Sequence, residues 1–111
     1  IGSLPTRNFQ QGTFEHWDKV SAEVLTEKFL QKPHYCSDCP IGCGRGTKVD
    51  DPDFAGGGEG PEYESIFAFG PAVGNGNMAA VIKANYVSNN LGMDTMSMGV
   101  TLACAMELYQ R

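Results

Sequence analysis

Three cysteines, Cys36, Cys39 and Cys43, stand at C-x2-C-x3-C spacing in the run Cys36-Ser37-Asp38-Cys39-Pro40-Ile41-Gly42-Cys43. Three thiolates on one tight loop can converge on a single inorganic centre, and Gly42, Gly44 and Gly46 let backbone N–H groups turn toward cluster sulfurs. That arrangement suits an iron-sulfur cube. Structural zinc is the competing reading, but zinc completes its tetrahedron with a second pair of ligands; His16 is remote and His34 lies only two residues before Cys36. The spacings also run opposite to the C-x3-C-x2-C of radical enzymes that use S-adenosylmethionine. A [4Fe-4S] cluster needs four ligands, so the fourth is either Cys104 or a residue outside this chain. Cys104 sits in Thr101-Leu102-Ala103-Cys104-Ala105-Met106, where a buried free thiol acts as a small hydrophobe.

Two further runs carry polar chemistry. Glu62 and Glu64 follow a glycine-rich stretch and, taken alone, are solvated loop carboxylates. Asn89-Asn90-Leu91-Gly92-Met93-Asp94 reads, on its own, as a helix closed by a C-terminal glycine and followed by an N-cap.

The elements that must position these groups are mostly helical. Ser21 caps a helix over Ala22 to Gln31, with Val24, Leu25, Lys28, Phe29 and the stem of Lys32 at helical spacing, and Pro33 ends it. Asn77 caps a second, supported by Met78, Val81, Ile82, Asn85, Val87 and Leu91 and terminated by Gly92. A third follows at once, capped by Thr95 or Ser97. It is apolar nearly all round through Leu102, Ala103, Cys104, Ala105, Met106 and Leu108, which points to burial inside a larger protein. Residues 1–20 read as an irregular lead-in, 33–76 as a cysteine- and glycine-rich loop region, and 77–111 as a helix pair. Gly56-Gly57-Gly58 stands at the centre of the loop region, where backbone must turn tightly or approach something closely. No strand shows alternation. The expected fold class is therefore mostly α, a fragment of a multi-helical domain with a glycine-rich cluster-binding loop.

Composition narrows the function classes. The 111 residues suffice for one domain. Eight Lys plus Arg against thirteen Asp plus Glu leave a net charge of -5, without the electrostatic footprint of a partner for nucleic acid or anionic membrane. A hydrophobic share of 41% with 19% charged residues excludes a disordered acidic tail. No apolar run approaches the roughly 20 residues that span a bilayer, and a secretory leader is missing, so the chain as given reads as soluble. Cysteines crowded into one short run do not form a disulfide framework, which points to a reducing, cytoplasmic setting. Ile1 opens the chain without Met and Arg111 follows directly on an apolar helical run, so the chain is expected to be a slice of something longer.

Taken with the cysteines, Pro40-Ile41-Gly42-Cys43-Gly44-Arg45, Gly60-Pro61-Glu62-Tyr63-Glu64-Ser65 and Leu91-Gly92-Met93-Asp94-Thr95-Met96-Ser97 form a pattern. The chain resembles the tungsten-containing aldehyde:ferredoxin oxidoreductases, from Leu4-Pro5-Thr6-Arg7-Asn8-Phe9-Gln10 through Ala105-Met106-Glu107-Leu108-Tyr109. The resemblance implies a piece of that family's helical middle domain, without its N-terminal β-rich domain and its C-terminal domain. It implies that Cys36, Cys39 and Cys43 supply three ligands of a [4Fe-4S] cluster, with the fourth cysteine far downstream. In the family, a D-x-x-G-L-D/C motif on the turn between two helices binds one of two pterin dithiolenes that hold tungsten. By resemblance, Asn89, Gly92, Met93, Asp94 and Thr95 contact such a tungsten, or molybdenum, bis-pterin here. Asn89 stands where the motif has Asp, and it offers hydrogen bonds to a pterin edge without a charge. Met93 stands where the motif has Leu. The family also places an active-site glutamate in the G-P-E-Y-E run, which implies that Glu64, buried near the metal, holds or passes a proton. Some relatives carry an E-x-x-H metal site at a subunit interface; Lys83 and Tyr86 occupy those places, so that metal is not expected.

The activity implied is oxidation of an aldehyde with water to a carboxylic acid, electrons passing from tungsten through pterin and cluster to ferredoxin. Ferredoxin, the aldehyde, the remaining domains of the parent chain and a homo-oligomeric copy are the implied partners. A reductase of aromatic acyl-CoA rings in the same superfamily would share these motifs. From a different class, Cys36, Cys39, Cys43 and Cys104 around zinc would make a non-catalytic interaction module. The 111 residues alone are expected to be inactive, since half the pterin site and the fourth cluster ligand lie elsewhere.

Overall fold

The computed structural model describes residues 5–111; the start of the expected lead-in, including Leu4 of the opening run, lies outside the described residues. Seven elements follow a short 3-10 turn at Trp17–Lys19: α1 (Ala22–Lys28), β1 (Leu30–His34), β2 (Gly44–Val49), β3 (Gly56–Glu59), α2 (Tyr63–Phe69), α3 (Met78–Asn90) and α4 (Thr95–Gln110). A second 3-10 turn, Pro71–Val73, joins α2 to α3. The architecture is mostly α with a small antiparallel sheet in the order β1-β2-β3.

Local chemistry explains where α1 starts and why it stops early. Ser21 Oγ accepts the Val24 N–H, and Leu25 is fully buried, which contributes about 1.5–3 kcal/mol. The helix was expected to run to Gln31, but it ends at Lys28, and Leu30–His34 become β1. Lys48 N–H donates to Phe29 O, and Leu30 then pairs with Thr47. Non-local pairing thus outcompetes the last helical turn. Pro33 does not stop a helix; it sits on an edge strand, where a missing N–H costs no ladder bond.

The glycine-rich region is likewise not an unstructured loop. Gly46, Thr47, Lys48 and Val49 pair with Glu59, Gly58, Gly57 and Gly56. Strands built of glycine carry no side-chain alternation, so their period of two is invisible in the sequence.

Helix α2 was also hidden in the region read as loop. Its residues Ser65 to Phe69 are all buried, and five consecutive buried residues leave no amphipathic stripe to read. Helix α3 has one. Asn77 Oδ1 caps it by accepting the Ala80 N–H, and it buries Met78, Val81, Ile82, Asn85 and Tyr86, the i, i+3, i+4, i+7, i+8 pattern of one helical face. With Phe14, Val20, Leu25, Val49, Ile66 and Phe69, this face makes the main core between helices and sheet.

Helix α4 differs from expectation in its cap. Its cap is Asp94, whose Oδ2 accepts the Ser97 N–H at 2.9 Å, rather than Thr95 or Ser97. Among its described residues only Gly99 and Ala103 are buried. Leu102, Met106, Leu108 and Tyr109 are exposed, and so is Cys104, which is a free thiol but not a buried one. The buried pair faces α2 because glycine lets the helices touch there. A Cβ at Gly99 would lie 2.5 Å from Ala68 Cβ and 2.6 Å from the Ala68 carbonyl carbon and oxygen. No helix among the described residues is long and apolar enough to cross a membrane.

Two effects of opposite sign meet at Gly99. Alanine is favoured over glycine in a helix by about 1 kcal/mol, whereas forcing a methyl against rigid backbone costs about 1–3 kcal/mol. Gly99→Ala is therefore expected to lower the stability of the parent protein by on the order of 1–2 kcal/mol, read from its denaturant unfolding midpoint. A raised midpoint would show that α2 and α4 do not need this close approach.

Candidate functional site

The cysteines sit on the loop that closes the β1–β2 hairpin, between His34 and Gly44, which pair across it. A tight turn starts the loop, with Cys39 N–H donating to Cys36 O at 3.1 Å, and Asp38 and Gly42 both adopt positive φ. All three thiols are free; Cys36 and Cys43 are exposed and Cys39 partly so. Among the described residues no group of three or more His, Cys, Asp or Glu side chains is gathered to hold a metal ion. The sulfurs are therefore on one loop without being drawn together. As a donor set, three soft, unbridged thiols on one hairpin loop fit three positions of an iron-sulfur cluster.

The turn between α3 and α4 is built by its backbone. Gly92 takes φ +70°, and the Met93 N–H returns to Ser88 O at 2.8 Å. Asn89 and Gly92 are exposed, Met93 is half-buried, and Asp94 is exposed at the head of α4. The Ser97 hydroxyl and backbone N–H hold the Asp94 carboxyl below its ordinary value of 3.8. Thr95 turns inward, its Oγ1 sharing a 2.6 Å hydrogen bond with Ser65 Oγ.

That bond brings two of the expected sets together. Ser65 directly follows Glu64, so the first turn of α2 lies against the start of α4. Glu62 and Glu64 are both exposed in this chain, and the burial expected of Glu64 is not supplied by the described residues. The cysteine loop joins the same neighbourhood through the sheet. Gly60 N–H donates to Arg45 O, two residues past Cys43, and Pro61-Glu62 then lead into α2.

Asn89 also borders a groove of about 280 Å³ with Asn90, Tyr86 and the strand Gly57-Gly58-Glu59. Glu59 Oε1 lies 3.9 Å from His34 Nε2 at the foot of the cysteine loop. Lys83 and Tyr86, which depart from the metal motif, instead tie α3 to the sheet side, and Tyr86 lines this groove. Lys83 Nζ donates to Ala55 O, Tyr86 OH donates to Thr47 O, and Asn85 Nδ2 donates to Glu59 O at 3.2 Å. Sequence reasoning missed these contacts. The one available signal was polar Asn85 and Tyr86 sitting on the otherwise apolar face of α3.

Known proteins agree on one assignment. The family model described as "Aldehyde ferredoxin oxidoreductase, domains 2 & 3" matches residues 1–111. Over 110 residues the chain is 49% identical to a tungsten-containing aldehyde ferredoxin oxidoreductase of Thermococcus kodakarensis, and 48% and 43% identical to those of Pyrococcus abyssi and Pyrococcus furiosus. Each match covers 99% of this chain but 18% of the relative, so the chain spans under a fifth of the length of those enzymes.

Because the Asp94 carboxyl titrates lower when it caps α4, the cap is at full strength above 3.8 and is lost as pH falls through the lowered value. Hydrogen exchange across the first turn of α4, corrected for intrinsic rates, should accelerate in that acid range. Asp94→Asn, which caps nearly as well but does not titrate, should abolish the pH dependence. An unchanged pH profile in that variant would refute the capping account.

Proposed function

The chain belongs to the aldehyde ferredoxin oxidoreductase family, and on that premise we propose that it is the part of a tungsten enzyme that carries three cluster cysteines and one pterin-binding turn. One observation carries this reading: three unbridged thiols share the β1–β2 loop of a chain that matches the family along its whole length.

The proposed parent reaction converts RCHO and water to RCOO⁻, three protons and two electrons, which leave singly to two molecules of oxidised ferredoxin. When bound, a tungsten bis-pterin supplies the two-electron acceptor and a [4Fe-4S] cluster divides the pair. Everything else is asked of this chain's own side chains. Cys36, Cys39 and Cys43 hold the cluster as thiolates. Gly92 frees the backbone between α3 and α4, so that Asn89, Met93 and Asp94 face a pterin edge. Thr95 is already engaged by Ser65 and fixes that turn against α2. Glu64, on the first turn of α2, takes or passes the proton released as water adds to the aldehyde carbon. A separate domain of the parent would cover its exposed carboxylate.

Metal analysis tests the assignment first. Anaerobically isolated parent enzyme should contain iron, acid-labile sulfide and tungsten; zinc alone would overturn it. Serine in place of Cys36, Cys39 or Cys43 should remove the iron electron paramagnetic resonance signal, while Cys104→Ser leaves it intact.

Glu64→Gln keeps size and hydrogen bonding but removes the titratable proton. Turnover should fall by about 100-fold or more at unchanged cofactor content, with Glu62→Gln as the active control. Parental turnover in Glu64→Gln, or inactivity in Glu62→Gln alone, would remove Glu64 from the proposed role.

A further inference from the structure

Within the cysteine loop, one non-ligand side chain lies against the backbone. Tyr35, immediately before Cys36, places its ring over Gly42, immediately before Cys43. A Cβ at Gly42 would lie 2.6 Å from Tyr35 Cζ, 3.0 Å from Cδ1, and closer still to Cε1. Gly42 also holds φ +63°, which disfavours any residue with a Cβ. Both requirements for glycine therefore fall on one position, and one of them is set by the aromatic ring. That ring bridges the two ends of the segment from Cys36 to Cys43. Yet Tyr35 is 55% exposed, and among the described residues its ring belongs to neither core cluster, so core packing alone does not account for its place.

We infer that Tyr35 is a positioning residue for the cluster cysteines: its ring, seated on the bare backbone of Gly42, holds the start and end of the loop together so that the Cys36 and Cys43 thiols are presented as one ligand set. The inference rests on the cluster reading of Cys36, Cys39 and Cys43. Residues that orient metal ligands from outside the coordination sphere commonly change metal affinity by about 10–100-fold when replaced. The nearest Tyr35 atoms are the ring carbons Cε1, Cζ and Cδ1, all of which phenylalanine keeps, so phenylalanine should serve as well as tyrosine.

The test uses the full-length parent enzyme, isolated anaerobically. Tyr35→Ala should accelerate iron loss to a chelator by about tenfold or more and shift the cluster's midpoint potential, while Tyr35→Phe behaves as the parent. Gly42→Ala should also accelerate iron loss, and its effect should shrink in a Tyr35→Ala background, because part of its cost is collision with the ring. Unchanged iron loss and potential in Tyr35→Ala, or an equal Gly42→Ala effect with and without the ring, would overturn the inference while leaving the cluster assignment standing. Parent enzyme without iron and labile sulfide would overturn the cluster assignment. In that case hydrogen exchange over residues 36–43 still judges the contact: faster exchange in Tyr35→Ala than in Tyr35→Phe upholds the ring's hold on the loop, and equal exchange refutes it.

Discussion

The buried junction of Tyr86 with Thr47 is the interaction on which the rest of the arrangement depends. Tyr86 OH donates to Thr47 O at 3.1 Å and shares a 2.5 Å hydrogen bond with Thr47 Oγ1, both residues being buried. Thr47 lies at the middle of β2, the central strand, and Tyr86 lies in the second half of α3. Everything N-terminal to this junction on the sheet side carries the cysteines, and everything after it on the helical side carries the Asn89–Thr95 turn. In a buried setting such a pair is costly to leave half-made. The junction therefore fixes how far one proposed cofactor site stands from the other. Gly56 permits the approach, since a Cβ there would lie 3.1 Å from the Tyr86 ring.

Electron and proton chemistry would place opposite demands on this frame. Cluster thiols must be held still against a rigid support, whereas a proton-handling carboxylate must be shielded from bulk water. The hairpin would supply the first, while Glu62 and Glu64, exposed at the start of α2, leave the second open. The exposed apolar side chains of α4, Leu102 and Met106 among them, leave a second surface uncovered. Both features accord with a chain that spans 18% of its relatives.

Legibility in the sequence followed the range of the interactions involved. The caps at Ser21 and Asn77 and the stripe of α3 were readable because each is satisfied within a few residues. Cys36, Cys39 and Cys43 fall on one loop for the same reason, being close in sequence. The sheet was not readable, since β3 is mostly glycine and the strands pair across distant positions such as Gly46 and Glu59. Helix α2 escapes because five consecutive buried residues, Ser65 to Phe69, erase periodicity, and α1 ends short of its sequence pattern because Phe29 and Leu30 serve strand pairing rather than a final helical turn. Apolar neighbours in sequence read Cys104 as interior, whereas in this chain α4 turns Gly99 and Ala103, one helical turn apart, inward and leaves Cys104 exposed. The contact between Tyr35 and Gly42 depends on a left-handed backbone that residue type only permits.

Pro33 has a consequence beyond the hairpin it occupies. An open sheet edge with free N–H and C=O groups is a template onto which a stray extended chain can add, the route to aggregation that edge strands carry. On β1 the sequence Gln31-Lys32-Pro33-His34 is exposed throughout, with a charge beside a residue that has no N–H to offer. The edge next to the cysteine loop is thereby closed to strand addition without being covered. The exposed cysteine loop can therefore remain at the surface while the strand beneath it resists polymerisation.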